Sequence, residues 1–587
     1  MNKRADSTQR TQWVIHPFLF AAYPILFLYA HNLHVSLMSE ALGPFQVTMF
    51  ITAAVFALVW GVVRNARKAG VLVSVAVLIF FSYSHFSSVL VFLGGMKYRI
   101  GGIEVTANML LCLLSLACVV PVIIRSVREK RVPARMNILL SLAAALFAVS
   151  LLGTLFGRFV LGVDRFVLVI MAWCGYAVIA SRSDFAAVTR FMNAMSGFLV
   201  VLSLISIGRF ALNTHRIVNT VLTEQELPAD QPVDRQVLPD IYYLIFDEYA
   251  GKDVLQKLYY HKNSWFYAEL EKRGFYIAHE SRSNYPQTVL SLASSLNMTY
   301  LNHIEYDLKT KLHIETADKN LLFRMVCSNA VVKFLKQFGY TFAAFSPGFG
   351  FTEIRTADYY FSYGKELTFF KDQLFRSTPI QDFLETMFPQ ERFFLYDERR
   401  ASLEYTFSHV GHLEAVPGPK IVFAHLICPH PPFVFGADGS PRNYEPIIFN
   451  AADLAHYNVD RTVYIKGYID QMSYLNKRII QMVDDILAHS KTPPVIILQG
   501  DHGPGSLLYW SDWQKSDMQE RFSILNAYHL PKGAELLYPS ISPVNSFRVI
   551  LNAYFNTGYE LLPDSSYFAS LSRPYRFTDV TVWSKAR

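Results

Sequence analysis

Three apolar runs of this sequence end in groups able to do chemistry. IYYLIF (241–246) runs into Asp247 and Glu248, KIVFAHLI (420–427) runs through Cys428 and Pro429 into His430, and PVIILQG (494–500) runs into Asp501 and His502. Carboxylates offer hard oxygen ligands and imidazole a borderline nitrogen. Asp247, Glu248, Asp501 and His502 together therefore suit one divalent cation of the Mn2+ or Zn2+ kind, whereas Ca2+ or Mg2+ would favour an all-oxygen set. Each dipeptide alone is an ordinary solvated turn. Their recurrence at equivalent strand ends points to a site, because open α/β sheets bind ligands beyond the carboxyl ends of their strands. Thr288 lies between the first two runs, in NYPQTVLSLASSL, at the start of a segment that reads as a helix. A threonine there is usually an N-cap. It could equally attack a phosphoryl group held by the free N–H groups and positive end of that helix, with a nearby metal lowering the hydroxyl pKa. Ser291 and Ser294 read as packing residues, His425 as a satisfied core histidine, and His430 as either a turn filler or a functional group.

Five apolar runs (241–246, 340–345, 420–427, 494–500 and 521–528) alternate with segments of helical spacing. That pattern predicts an α/β domain with a central, mostly parallel sheet covered on both faces, occupying 239–587. Upstream the chain has a different character. It holds 587 residues, 52% of them hydrophobic and only 17% charged, with mean hydropathy +0.22, which is unusual for a soluble protein. Apolar runs long enough to span a bilayer lie near 14–32, 43–63, 70–93, 105–124, 136–157, 164–181 and 190–211. Residues 1–212 therefore read as a polytopic α-helical membrane domain of about seven helices, and 213–238, polar with two prolines, as a linker. Basic clusters (Lys3, Arg4, Arg10; Arg64, Arg67, Lys68; Arg125 to Arg135) place the N-terminus inside. With seven spans, 239–587 faces the periplasm or exterior. Without 164–181, which opens on Asp164 and Arg165, it would face inward.

No small-residue cleavage site follows the first run, so it is expected to stay as an anchor. The net charge of +7 fits attraction to anionic headgroups, and no nucleic-acid partner is expected. Cys327 and Cys428 could pair in an oxidising compartment, but two cysteines make no framework.

PDIYYLIFDE, the threonine of NYPQTVLSLASSL, HLICPHPPF and LQGDHG occur in an order and spacing that resembles the sulfatase-like branch of the alkaline phosphatase superfamily. That branch includes lipoteichoic acid synthases and lipid A phosphoethanolamine transferases, which join a multi-span membrane domain to an extracytoplasmic sulfatase-like domain. The resemblance implies a threonine nucleophile at Thr288 and one Mn2+ or Zn2+ held by Asp247, Thr288, Asp501 and His502. Glu248 would be a second acid at the same strand end. His430 of CPHPPF is similar to a histidine that contacts substrate phosphate or acts as an acid, with Pro431 standing where the relatives have glycine. No cysteine opens the sulfatase C/S-x-P-x-R signature, and the serine that does, Ser572 of SRPYR, lies far down the chain from Thr288, so a formylglycine mechanism is not expected.

The sequence thus predicts a metal-dependent transferase. It would move a phosphoethanolamine- or phosphoglycerol-type headgroup from a phospholipid donor to an envelope glycan or glycolipid acceptor through phospho-threonine. The alternatives are a phosphodiesterase or sulfatase-type hydrolase on the same site, and a non-catalytic transporter or scaffold. Arg282, Asn284 and Arg521 could reach a phosphate but read equally as surface or strand-edge residues. The aromatic and basic segment 366–388 could rest on membrane lipids or pack as an ordinary amphipathic helix.

Overall fold

The computed structural model describes residues 13–33, 36, 38–84, 97–100, 103–106, 178–179, 181–221, 238–364, 369–380, 394–442 and 460–585. Two compact units make up the chain. One comprises Met1–Leu33, Leu37–Arg209 and Phe370–Gln390; the other comprises His34–Ser36, Phe210–Phe369 and Glu391–Arg587.

In the first unit, α1 (His16–His31), α2 (Met38–Val63) and α3 (Ala66–Phe81) pack on one another. Helix α4 (Ala186–Val221) joins them through Asn193, whose side chain accepts from His16 N at 3.0 Å and donates to Trp13 O at 2.8 Å. Met38–Val63 and Ala186–Val218 are long and apolar enough to cross a membrane. Helix α2 leaves Phe50 76% and Leu58 70% exposed, an arrangement stable against hydrocarbon and costly against water. Helices α1 and α3 are shorter, 16 residues each. The expected span at 105–124 beyond Thr106, where the strand Ile103–Thr106 ends, the whole of 136–157 and nearly all of 164–181 lie outside the described residues, as does the count of seven that depends on them. The helix Phe369–Arg376 belongs to this unit, with Phe370 buried against the edge of Tyr29.

Helix α4 corrects the expected linker. It runs on to Val221, and Ile217 and Val218 enter the core of the second unit. Polar residues outnumber apolar ones after Leu212, but two apolar residues on one helix face are enough to continue the helix.

The second unit is built on a seven-stranded sheet. Its strands are β1 (Ile241–Phe246), β2 (Tyr276–Ile277), β3 (Thr341–Phe345), β4 (Tyr359–Phe361), β5 (Lys420–Leu426), β6 (Val495–Gln499) and β7 (Asn526–His529), in the order β2-β7-β6-β1-β5-β3-β4. Strands β4, β3, β5, β1 and β6 run parallel, and β7 and β2 complete one edge antiparallel. All six residues of β1 are buried. Ile241, Tyr243 and Ile245 enter one core and Tyr242, Leu244 and Phe246 the other, which is why the run is apolar throughout and does not alternate. Helices α5 (Thr288–Asn297) and α9 (Pro543–Phe555) cover the first face; α6 (Phe394–His409) and α7 (Arg461–His489) cover the second.

The expected strand at 521–528 is corrected. Its first residues close α8 (Met518–Phe522), whose N-cap Asp517 accepts from Glu520 N, and the strand begins only at Asn526. An acid three residues ahead of Glu520 is a capping signal that outweighs the short apolar run. Cys327 and Cys428 are both free.

Candidate active site

Parallel pairing sets the site. Ile241 of β1 lies opposite Ile421 of β5 and Val495 of β6, so the three central strands end nearly level. Asp247, His430 and Asp501 therefore leave the sheet at one rim. Asp247 N donates to Leu426 O at 2.9 Å and His430 N to Asp247 O at 3.1 Å, fixing the two turns to each other. Glu248 takes a left-handed backbone, φ 63°, rare and costly for a residue with a side chain. That turn aims its N–H at Asp501 Oδ1 (3.2 Å), while Tyr468 donates to its carbonyl at 2.7 Å.

Asp247, His425 and Asp501 are buried and each places a ligand atom within 4.8 Å of the others. Asp247 Oδ1, Asp501 Oδ2 and His425 Nε2 have no hydrogen-bond partner, and buried polar atoms left unmet are rare without a missing ligand. Two carboxylate oxygens and an imidazole nitrogen facing one point fit a divalent cation. His425 is thus not the satisfied core histidine expected. Its Nδ1 meets Thr352 Oγ1 at 2.8 Å, while Nε2 faces Asp247 Oδ2 at 3.5 Å. Register decides this, since His425 pairs with Ile245, two residues before Asp247.

His502 approaches the same carboxylates, its Nε2 lying 3.3 Å from Asp501 Oδ2 and 3.8 Å from Asp247 Oδ1. Its Nδ1 donates to Gly503 O at 3.1 Å, so the Nε2 lone pair faces Thr288 Oγ1, also at 3.1 Å. Burial, then the charge of Arg521, holds the His502 pKa well below its usual value. The ring is therefore neutral, and its Nε2 accepts from both Thr288 Oγ1 and Arg521 Nη2.

Thr288 is the first residue of α5. The N-cap is Gln287, which makes no side-chain capping bond; its amide donates instead to Ala569 O and Ser570 O. The first N–H groups of α5 are left for an anion. Thr288 is only half-buried in an otherwise buried turn. Ser291 packs as expected, donating to Asp501 O at 2.7 Å.

The two carboxylates titrate against each other. Burial, and then the charge on Asp247, pushes the Asp501 pKa well above the usual range. Burial also opposes ionisation of Asp247, but His430, His425 and His502 outweigh it and hold that group low. Two acids forced together without a compensating charge share protons; a cation between them removes the conflict.

Glu248 is brought to the rim but engaged elsewhere. Its carboxylate accepts from Arg521 Nη1 at 3.0 Å and from Tyr464 at 3.2 Å. His430 donates through Nδ1 to Pro431 O, and its Nε2 lies 3.9 Å from Glu248 Oε1 at the half-buried mouth. Arg521, read as an edge residue, is fully buried. It also donates to Pro286 O and Gly503 O and contacts His502 Nε2 at 3.2 Å. Arg282 and Asn284 do not reach the site: Arg282 pairs with Asp253 at 2.6 Å and Asn284 ties Val544 N at 2.8 Å. Arg399 of α6 was not anticipated. It is a cation close enough for its charge to act on Asp247, donating to Pro347 O at 3.3 Å and with Nε unpartnered.

No family model and no curated protein matches the chain. Solved structures do. The zinc complex of the C-terminal periplasmic domain of EptC from Escherichia coli is similar at 12% identity over 61% of this chain and 99% of its own, TM-score 0.39. The corresponding domain of phosphoethanolamine transferase EptC from Campylobacter jejuni is similar at 12% identity over 55% and 90%, TM-score 0.32. Lipooligosaccharide phosphoethanolamine transferase A from Neisseria meningitidis, an integral membrane protein, is similar at 13% identity over 92% and 95%, TM-score 0.35. The functional reading rests on the residues of this chain.

Proposed function

We propose that this chain is a membrane-bound phosphotransferase that moves a phospholipid headgroup, of the phosphoethanolamine or phosphoglycerol type, to a glycan or glycolipid of the cell envelope through Thr288. The observation that carries the reading is the Thr288 hydroxyl. It stands at an uncapped helix N-terminus, 3.1 Å from a neutral imidazole nitrogen and beside two carboxylates with partnerless oxygens.

Asp247 and Asp501, with the flanking imidazole of His425, would hold a divalent ion and leave His502 Nε2 for the threonine proton; this mixed donor set suits Zn2+ or Mn2+. Bound there, such an ion supplies positive charge at the phosphoryl oxygens and lowers the pKa of the threonine hydroxyl. Thr288 Oγ forms the bond to phosphorus as its proton leaves toward His502 Nε2, 3.1 Å away. The phosphorus–oxygen bond to the diacylglycerol breaks, and that oxygen takes a proton from His430 at the mouth. An acceptor hydroxyl then gives its proton back to His430 and attacks phosphorus, breaking the bond to Thr288 Oγ, which recovers its proton. The free N–H groups of α5 and the Arg399 guanidinium bind the phosphoryl oxygens. Helices with exposed apolar surface fit a donor that never leaves the bilayer.

The test is mass spectrometry of envelope glycans and lipids made with and without the protein, together with digestion of the purified full chain after incubation with donor phospholipid. A headgroup mass on the peptide containing Thr288, and on a glycan, is the expected result. A released phosphate ester with no modified glycan would assign hydrolysis to the site.

A further inference from the structure

A second cluster of metal-binding side chains lies away from the Thr288 rim, where the chain enters β5 rather than where it leaves. His412 and Glu414 sit in the loop between α6 and β5; Asp485 and His489 occupy the last turn of α7. His412, Glu414 and His489 each present a ligand atom within 4.8 Å of the other two, all on exposed side chains. The two imidazole rings stand 4.5 Å apart between centroids.

The hydrogen bonds decide what this cluster wants. His489 Nδ1 meets Asp485 O at 2.7 Å, and because a carbonyl only accepts, Nδ1 carries the proton. The lone pair on Nε2 then faces Glu414 Oε1 at 3.7 Å, acceptor against acceptor. The His412 ring lies among the same carboxylates at distances longer than a hydrogen bond: Nδ1 is 3.9 Å from Glu414 Oε1, and Nε2 is 3.8 Å from Asp485 Oδ2. An imidazole with one nitrogen turned to a carbonyl or carboxylate and the other left open is the arrangement that orients a metal ligand. The carboxyl end of α7, a 29-residue helix, adds negative potential at the same place.

We infer that His412, Glu414 and His489, oriented by Asp485, form a surface site for a borderline divalent cation such as Zn2+, clamping the loop before β5 to the end of α7. Two nitrogens and a carboxylate oxygen, with a fourth position open to water, suit Zn2+ over Ca2+ or Mg2+. The site does not depend on the reading of Thr288.

Calorimetric titration of the chelator-stripped full chain in detergent with Zn2+ tests it. His412→Ala/His489→Ala should bind one equivalent fewer than the wild type, and should lose part of the thermal shift produced by Zn2+. Asp247→Asn/Asp501→Asn should keep that equivalent, which separates this site from the rim. Cu2+ supplies a second readout: nitrogen hyperfine splitting in its electron paramagnetic resonance spectrum should be present in Asp247→Asn/Asp501→Asn and absent when the histidine substitutions are added. Equal Zn2+ stoichiometry in the wild type and the double histidine variant, or a Cu2+ spectrum unchanged by loss of the two rings, overturns the assignment.

Discussion

Arg521 and Glu248 form an ion pair at 3.0 Å with both side chains essentially without solvent exposure. Glu248 is therefore committed to a cation of the protein itself, next to the carboxylates of Asp247 and Asp501. Removing one partner of a buried pair strands the other charge, at a cost of about 3–5 kcal/mol. Glu248→Gln should lower the melting temperature sharply, yet leave the metal content of the purified protein unchanged. Loss of metal in a folded Glu248→Gln protein would make Glu248 a ligand.

Thr288→Ala should bring headgroup transfer to background, a fall of about 10^4-fold or more if the hydroxyl is the nucleophile. Metal content should be retained. Thr288→Ser restores the attacking oxygen without the methyl group and should recover part of the rate. Transfer assays with labelled donor phospholipid read both.

Asp501→Asn removes one of two like charges from a buried site. The chelator-stripped variant should melt above stripped wild type, because the repulsion is gone, but should no longer be stabilised by added Mn2+ or Zn2+ at this site. Combining it with His412→Ala/His489→Ala silences the surface cluster, so any remaining shift on metal addition would count against Asp501 as a ligand.

Arg399 carries a guanidinium whose charge acts on Asp247 and whose Nε has no partner. A charge-assisted bond to a phosphoryl oxygen is worth about 1.5–3 kcal/mol. Arg399→Gln should accordingly raise KM for the phospholipid donor about tenfold or more, with a smaller change in kcat. Unchanged steady-state kinetics would leave Arg399 a packing residue.

Glu520 controls a pH dependence. Burial pushes its pKa up from 4.5 to about 7, against opposing hydrogen bonds from Ser506, Tyr259 and Leu507 N. A carboxyl with a raised folded pKa binds its proton more tightly in the native state, so its contribution to stability falls as pH rises from 4.5 toward 7 and is constant above. The fall amounts to about 3 kcal/mol. Glu520→Gln should flatten the melting-temperature profile between pH 5 and 7; an unchanged slope would place the titration elsewhere.

The strand-end acids were legible because a fully buried parallel strand is an uninterrupted apolar run, and the residue that stops it stands out. Glycine helped in the same way. A Cβ on Gly503 would meet Glu520 O at 2.0 Å and one on Gly500 would meet Tyr249 O at 2.6 Å, so the LQGDHG turn admits nothing larger. His425 was not legible, and Arg521 was legible only as one of three residues that could reach a phosphate. Each sits within a run that reads as packing, and its function comes from residues far away in the chain: Asp247 and Thr352 for His425, Glu248 and Pro286 for Arg521. Strand register and the capping of α8 created those meetings, and neither is a property of a local window. The fourfold contact of His412, Glu414, Asp485 and His489 was hidden for the same reason.

Because β1, β5 and β6 stop level in parallel register, Asp247 and Asp501, one and two residues past their strands, are anchored by backbone pairing rather than by the longer loops beyond them. Those outer loops can be lengthened or shortened while the two carboxylates keep their places. On the proposed function, the choice of acceptor is then separable from the transfer chemistry, and acceptor range becomes a matter of loop grafting on an unaltered rim.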